Sequence, residues 1–120
     1  MPHITVEYTR NLDGFDPAEV LAGVNRACLD SGFFSEADIK SRALALDCFA
    51  VGTASQERAF VHVRVALLTG RGSEERKALS GAVLAVLNSE VHAMGGMEVQ
   101  LSVETVEIDR PSYAKALVQG

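Results

Sequence analysis

Strand, helix, strand, and then strand, helix, strand again: this order constrains the 120-residue chain more than any other feature. His3 to Tyr8 alternates, with Ile4, Val6 and Tyr8 on one face and His3, Thr5 and Glu7 on the other, the period of a half-buried strand. Residues 9–15 are polar and include Gly14, which reads as a loop. Asp16-Pro17-Ala18-Glu19 then starts a helix: Asp16 caps, Pro17 suits the first helical position, and Glu19 completes a capping box. Val20, Leu21, Val24, Ala27 and Cys28 give that helix an apolar stripe, and Gly32 ends it. Ile39 to Leu46 reads as the second strand, with Ile39, Ala43 and Ala45 on one face and Lys40, Arg42, Leu44 and Leu46 on the other.

The second half repeats the plan. Arg58 to Leu68 is a long β run, Gly70-Arg71-Gly72 a tight loop, and Ser73-Glu74-Glu75 a second helix start. Leu79, Ala82, Val83, Val86 and Leu87 form the expected buried stripe of that helix, and Gly95-Gly96 its stop. Val99, Leu101 and Val103 alternate in a last strand, and residues 110–120 form a tail. The halves, about 1–50 and 57–108, make one α+β domain spanning 1–120. Each is a β-α-β unit, right-handed by default. The expected fold is a two-layer, four-stranded sheet with both helices on one face. The other sheet face then lacks a cover, at a cost of roughly 25 cal/mol per Å² of apolar surface. A symmetric oligomer that buries it is expected.

Composition narrows the function classes. An apolar content of 48% permits a core without staples, and with no Trp that core is aliphatic. The net charge of −5 argues against nucleic acid as a main partner, because a phosphate backbone needs a basic face. A small anion needs only two or three well-placed cations. Cys28 and Cys48 show no metal or redox spacing, which fits a reduced, cytoplasmic protein. No signal-peptide pattern is present, and no apolar run approaches the ~18 residues of a membrane span.

Four residues stand out for chemistry. Removal of Met1 would leave Pro2 with a free secondary amine at the start of a strand. An α-amino group titrates near ~7.7–8.0, and burial or a nearby cation favours its neutral, basic form. Arg71 sits between two glycines just before a helix N-terminus, where a guanidinium can grip a carboxylate bidentately; alone, it reads equally as a solvated loop arginine. The stretch lacks the GK[ST] ending of a phosphate-binding loop. Lys40 and Arg42 share one strand face, either as ligand-binding cations or as edge-strand gatekeepers. His62 reads as a structural mid-strand histidine, His92 lies near the end of the second helix, and His3 points away from Pro2. Asp47 and Glu57 have no partner spacing. No Ser-His-Asp or metal-ligand constellation is legible.

Taken together, MPHITVEYTRNL, IKSRAL and AFVHVRVALLTGRGSEERK, set in a duplicated β-α-β chain, resemble the 5-carboxymethyl-2-hydroxymuconate delta-isomerase family of the tautomerase superfamily. The resemblance runs from Met1 to about Glu107. It implies a homotrimer, a catalytic base at Pro2, and a substrate-binding arginine at Arg71. The relatives' R-S-R motif reads Lys40-Ser41-Arg42 here, and a Lys binds a carboxylate as a point charge, not as a fork. The implied substrate is a carboxylated 2-hydroxymuconate dienol from homoprotocatechuate degradation, converted to an unsaturated ketone without metal or organic cofactor. Two other readings stay open: a tautomerase of another enol, and a non-catalytic trimeric module that binds a small acid. Replacing Pro2 separates enzyme from module, since a module keeps its affinity.

Overall fold

The computed structural model describes residues 1–92 and 96–120. Its elements are β1 (His3–Thr9), α1 (Pro17–Asp30), a 3-10 turn at Glu36–Asp38, β2 (Lys40–Leu46), β3 (Arg58–Leu68), α2 (Ser73–Glu90), β4 (Glu98–Ile108) and a 3-10 turn at Arg110–Ser112. The strands form one sheet in the order β2-β1-β3-β4. β1 runs parallel to β2, and β3 parallel to β4. The halves join where β1 and β3 pair antiparallel, with Val6 opposite Val63. This is the duplicated split β-α-β sheet that the alternation predicts.

The helix starts follow their caps. The Asp16 carboxylate accepts from the Glu19 N–H at 3.3 Å. Among the described residues the reciprocal Glu19 bond of the expected capping box does not form. In α2 a glutamate does this work: Glu75 accepts from the Gly72 N–H at 3.2 Å, satisfying one orphan donor. α1 ends with Gly32 at φ +77°, a conformation glycine adopts without strain. α2 stops at Glu90, earlier than the expected glycine stop. Val91 turns extended there and packs against the core. Gly95 lies outside the described residues.

The core lies between the sheet and the two helices. Ile4, Val6, Val61, Val63, Val65 and Leu67 come from the sheet, Val20, Val24 and Cys28 from α1, and Leu79, Val83 and Leu87 from α2. Each fully buried aliphatic side chain contributes about 1.5–3 kcal/mol. Ala82, expected in the α2 stripe, is exposed, because that helix buries a narrower line along Leu79, Val83 and Leu87. Burial drives the Cys28 thiol up to about 11.

The other sheet face carries mixed residues. His62 bonds Ser102 at 2.7 Å and pairs with Glu104, and Arg64 lies 3.6 Å from the same carboxylate. Leu44 and Val106 on this face are 50% and 36% exposed. No described helix is long and apolar enough to cross a membrane.

Candidate active site

One end of the sheet gathers the starts of β1 and β2 and the ends of β3 and β4. The register fixes this: His3 sits beside Lys40 on one side and Ala66 on the other, and Ala66 pairs with Val106. Two backbone bonds close the end, from Lys40 N–H to Pro2 O at 3.1 Å and from Thr69 N–H to Ile108 O at 3.0 Å. A cleft of about 310 Å³ opens there, lined by Met1, Asp38, Tyr113 and Lys115 together with Phe33, Phe34, Leu68 and Arg71.

The amino terminus is held at this cleft. Pro2 is buried, and the Met1 amine donates to the Asp38 carbonyl at 3.1 Å. Lys40 Nζ donates to the same carbonyl at 3.0 Å. Burial, then the Lys40 charge, holds the amine below its ordinary value; Lys115 adds to this and the Asp38 carboxylate opposes it.

Arg71 lines the same cleft. Gly70 before it has φ +126°, which turns the chain sharply at the head of α2. The guanidinium donates to Phe33 O at 2.8 Å and to Glu75 at 3.4 Å, and lies 4.4 Å from the Phe33 ring centroid. It is thus oriented with its positive charge at the cleft.

Lys40 borders the amine but is not part of the cleft wall. Arg42 is further along β2, where its Nη2 bonds His3 Nδ1 at 3.1 Å. With Nδ1 accepting, the other ring nitrogen of His3 donates to the Tyr113 hydroxyl at 3.1 Å. Burial first, then Arg42 and Lys40, hold the His3 pKa below its ordinary value. The structure therefore brings Met1 and Arg71 to one cleft, buries Pro2 behind Met1, sets Lys40 at the cleft edge, and leaves Arg42 engaged with His3.

Asp38, Arg110, Tyr113 and Lys115 are cleft residues that the sequence reading missed. Three of them belong to the tail. The signal was topological: in a doubled β-α-β sheet with parallel β3 and β4, the end of β4 returns to the edge where β1 begins. The remaining candidates lie elsewhere. His62 is on the open sheet face, Asp47 pairs with Arg10, and Glu57 lies 3.4 Å from Asn11. No group of three or more His, Cys, Asp or Glu among the described residues is placed to hold a metal.

The profile of 5-carboxymethyl-2-hydroxymuconate isomerase matches residues 2–118. The chain belongs to that family. A crystal structure of a 5-carboxymethyl-2-hydroxymuconate isomerase from Deinococcus radiodurans R1 is similar over 96% of this chain and 88% of that one, at 32% identity and a TM-score of 0.88. An enzyme of the isomerase or tautomerase type follows from this membership. Two more distant structures share the fold. A fused 4-OT symmetric trimer matches at 18% identity and a TM-score of 0.76, over 95% of this chain and 91% of that one. A macrophage migration inhibitory factor-like protein from Entamoeba histolytica matches at 10% identity and a TM-score of 0.69, over 96% and 95%. No functionally curated protein matches the chain.

Proposed function

We propose that this isomerase, once Met1 is removed, uses the Pro2 secondary amine as general base on a carboxylated 2-hydroxymuconate dienol. The observation that supports the reading is the chain start, with Pro2 buried next to a Met1 that lines one cleft together with Arg71. A neutral amine takes the proton of the 2-hydroxyl group. The electron pair moves through the conjugated system, and the proton returns to a carbon further along it. The hydroxyl becomes a ketone and one double bond shifts, so the product is an α,β-unsaturated ketone with no net change in atoms.

Each residue has a separate part. Burial and Lys40 favour the neutral amine, as they do for the amine at Met1. Arg71 binds a substrate carboxylate and stabilises the enolate charge, and Lys40 adds positive charge beside the base. Arg42 acts through His3. The route proposed is homoprotocatechuate degradation in the cytoplasm, and the working form a homotrimer that covers the open sheet face.

The test follows the ultraviolet decay of 2-hydroxymuconate-type dienols, with enzyme shown by intact mass to lack Met1. Fast ketonisation that Pro2→Ala abolishes is the expected result. A decay no faster than buffer alone sinks the isomerase reading in favour of the acid-binding module.

A further inference from the structure

The cations expected from the second strand are not among the residues that line the cleft, and cations from the far end of the chain are. Arg71, Arg110 and Lys115 stand on its wall against one carboxylate, Asp38. In a chain of net charge −5 this is a local concentration of positive charge. Arg110 is already committed: its Nε and Nη2 donate to Thr69 O at 3.1 and 3.0 Å, which braces the loop leading into Arg71. Lys40 points to the Asp38 carbonyl and Arg42 to His3. Lys115 differs. Its ammonium lines the cleft, which Lys40 does not, and among the described residues Asp38 Oδ1 at 2.8 Å is the one partner for its three donors. Tyr113, two residues earlier, ties the same segment to His3, so the ammonium is carried on an anchored strap.

We infer that Lys115, brought to the cleft by the C-terminal segment, is the residue that receives the second carboxylate of a ligand whose first carboxylate Arg71 binds. The inference rests on the reading of this cleft as the substrate site. Asp38 holds the ammonium in place and leaves two of its donors for the ligand. Arg71 and Lys115 then take opposite ends of the ligand, and its reacting centre lies beside the amine. A monocarboxylate uses Arg71 alone and gains nothing from the strap.

Calorimetric titration with two unreactive probes, adipate and hexanoate, tests this without turnover. Lys115→Gln is a half-exposed substitution that leaves the core untouched. It is expected to weaken adipate binding about tenfold and to leave hexanoate within about twofold. Lys40→Gln, the rival second cation, is expected to change adipate binding by less than about twofold. The inference is overturned when Lys115→Gln leaves adipate unchanged, weakens both acids equally, or when Lys40→Gln produces the selective loss. It is also overturned when the wild type binds adipate no better than hexanoate. A wild type that prefers adipate through Lys115 but fails to ketonise dienols removes the isomerase reading and keeps the dicarboxylate site. One that ketonises dienols with a KM indifferent to Lys115→Gln removes the inference and keeps the reaction.

Discussion

The Arg71 guanidinium lies 4.4 Å from the centroid of the Phe33 ring and donates to the carbonyl of that same residue at 2.8 Å. One residue near the start of the α1–β2 connection thus orients the cation on the other half of the chain. Stacking and hydrogen bond fix the plane of the guanidinium before any ligand arrives, so less ordering is needed on binding. Arg71→Ala is expected to lower kcat/KM for a dienol by about 10²–10³-fold, as for loss of a donor to a developing oxyanion. Arg71→Lys keeps the charge but loses both fork and stacking, and should fall between. Phe33→Ala leaves the carbonyl in place and removes only the ring, so KM should rise about two- to fivefold at nearly constant kcat. Steady-state kinetics on the three variants checks the order. An Arg71→Lys enzyme with wild-type KM would contradict the bidentate role.

The amine has its own pH signature. Burial first, then Lys40, lowers the pKa of the terminal amine, and Asp38 raises it. In the proposed mechanism the base is the Pro2 amine, one residue along the chain from the Met1 amine that these charges act on. The base works in its neutral form, so kcat/KM rises as pH climbs through the pKa. Lys40→Ala removes a lowering charge, and the rising limb should move to higher pH. Asp38→Asn removes a raising charge and also frees Lys115, which lowers the pKa, so the limb should move to lower pH. Opposite displacements in the two pH–rate profiles are the expected result. A limb that ignores both changes would mean that the titrating base lies elsewhere.

Much of this was legible in the sequence because it is periodic or local. The alternation in AFVHVRVALL fixed which residues of β3 face the helices, and Val61, Val63 and Val65 are all buried. The glycines around Arg71 marked a sharp turn at a helix start, and the cation is at the cleft. What stayed hidden depends on pairing between distant strands. The tail has no period of its own, and only the parallel β3–β4 pairing carries Arg110, Tyr113 and Lys115 to the amino terminus. Lys40 and Arg42 were correctly placed together on a strand face. Their partners, the Asp38 carbonyl and the His3 ring, come from neighbouring segments that spacing cannot identify. Ala82 satisfied the helical period but lies outside the narrow line that α2 buries.

Helix packing makes a further prediction at Gly23. A Cβ on this residue would come within 2.7 Å of Val86 Cγ1 on α2, closer than van der Waals contact allows. Val86 is β-branched and stiff at χ1, so it cannot swing aside cheaply. Gly→Ala in a helix interior ordinarily gains about 1 kcal/mol of propensity. Overpacking costs about 1–3 kcal/mol, so Gly23→Ala should be net destabilising in spite of that gain. Val86→Ala alone loses buried methyl groups and should also destabilise. The double variant should be more stable than the sum of the two single changes allows, since the clash disappears. Urea unfolding at one fixed protein concentration measures the cycle. Additive losses would show that the helices part freely at this point.

The open sheet face yields the prediction on assembly. Leu44 on β2 and Val106 on β4 stand half or one-third exposed on the outward period of the sheet, the face that the helices leave uncovered. In a trimer around this face both side chains would lose their water. Sedimentation velocity should then give three times the 12.8 kDa chain mass for the wild type. Leu44→Asp or Val106→Asp would place an unpaired carboxylate in that contact, at a penalty of several kcal/mol when buried. Each should shift the species toward the monomer and lower dienol turnover in the same proportion. A surface position facing water accepts aspartate within about 0.5 kcal/mol and keeps its mass. Unchanged sedimentation of both variants would mean that this face is solvent, and that the chain assembles by another surface or not at all.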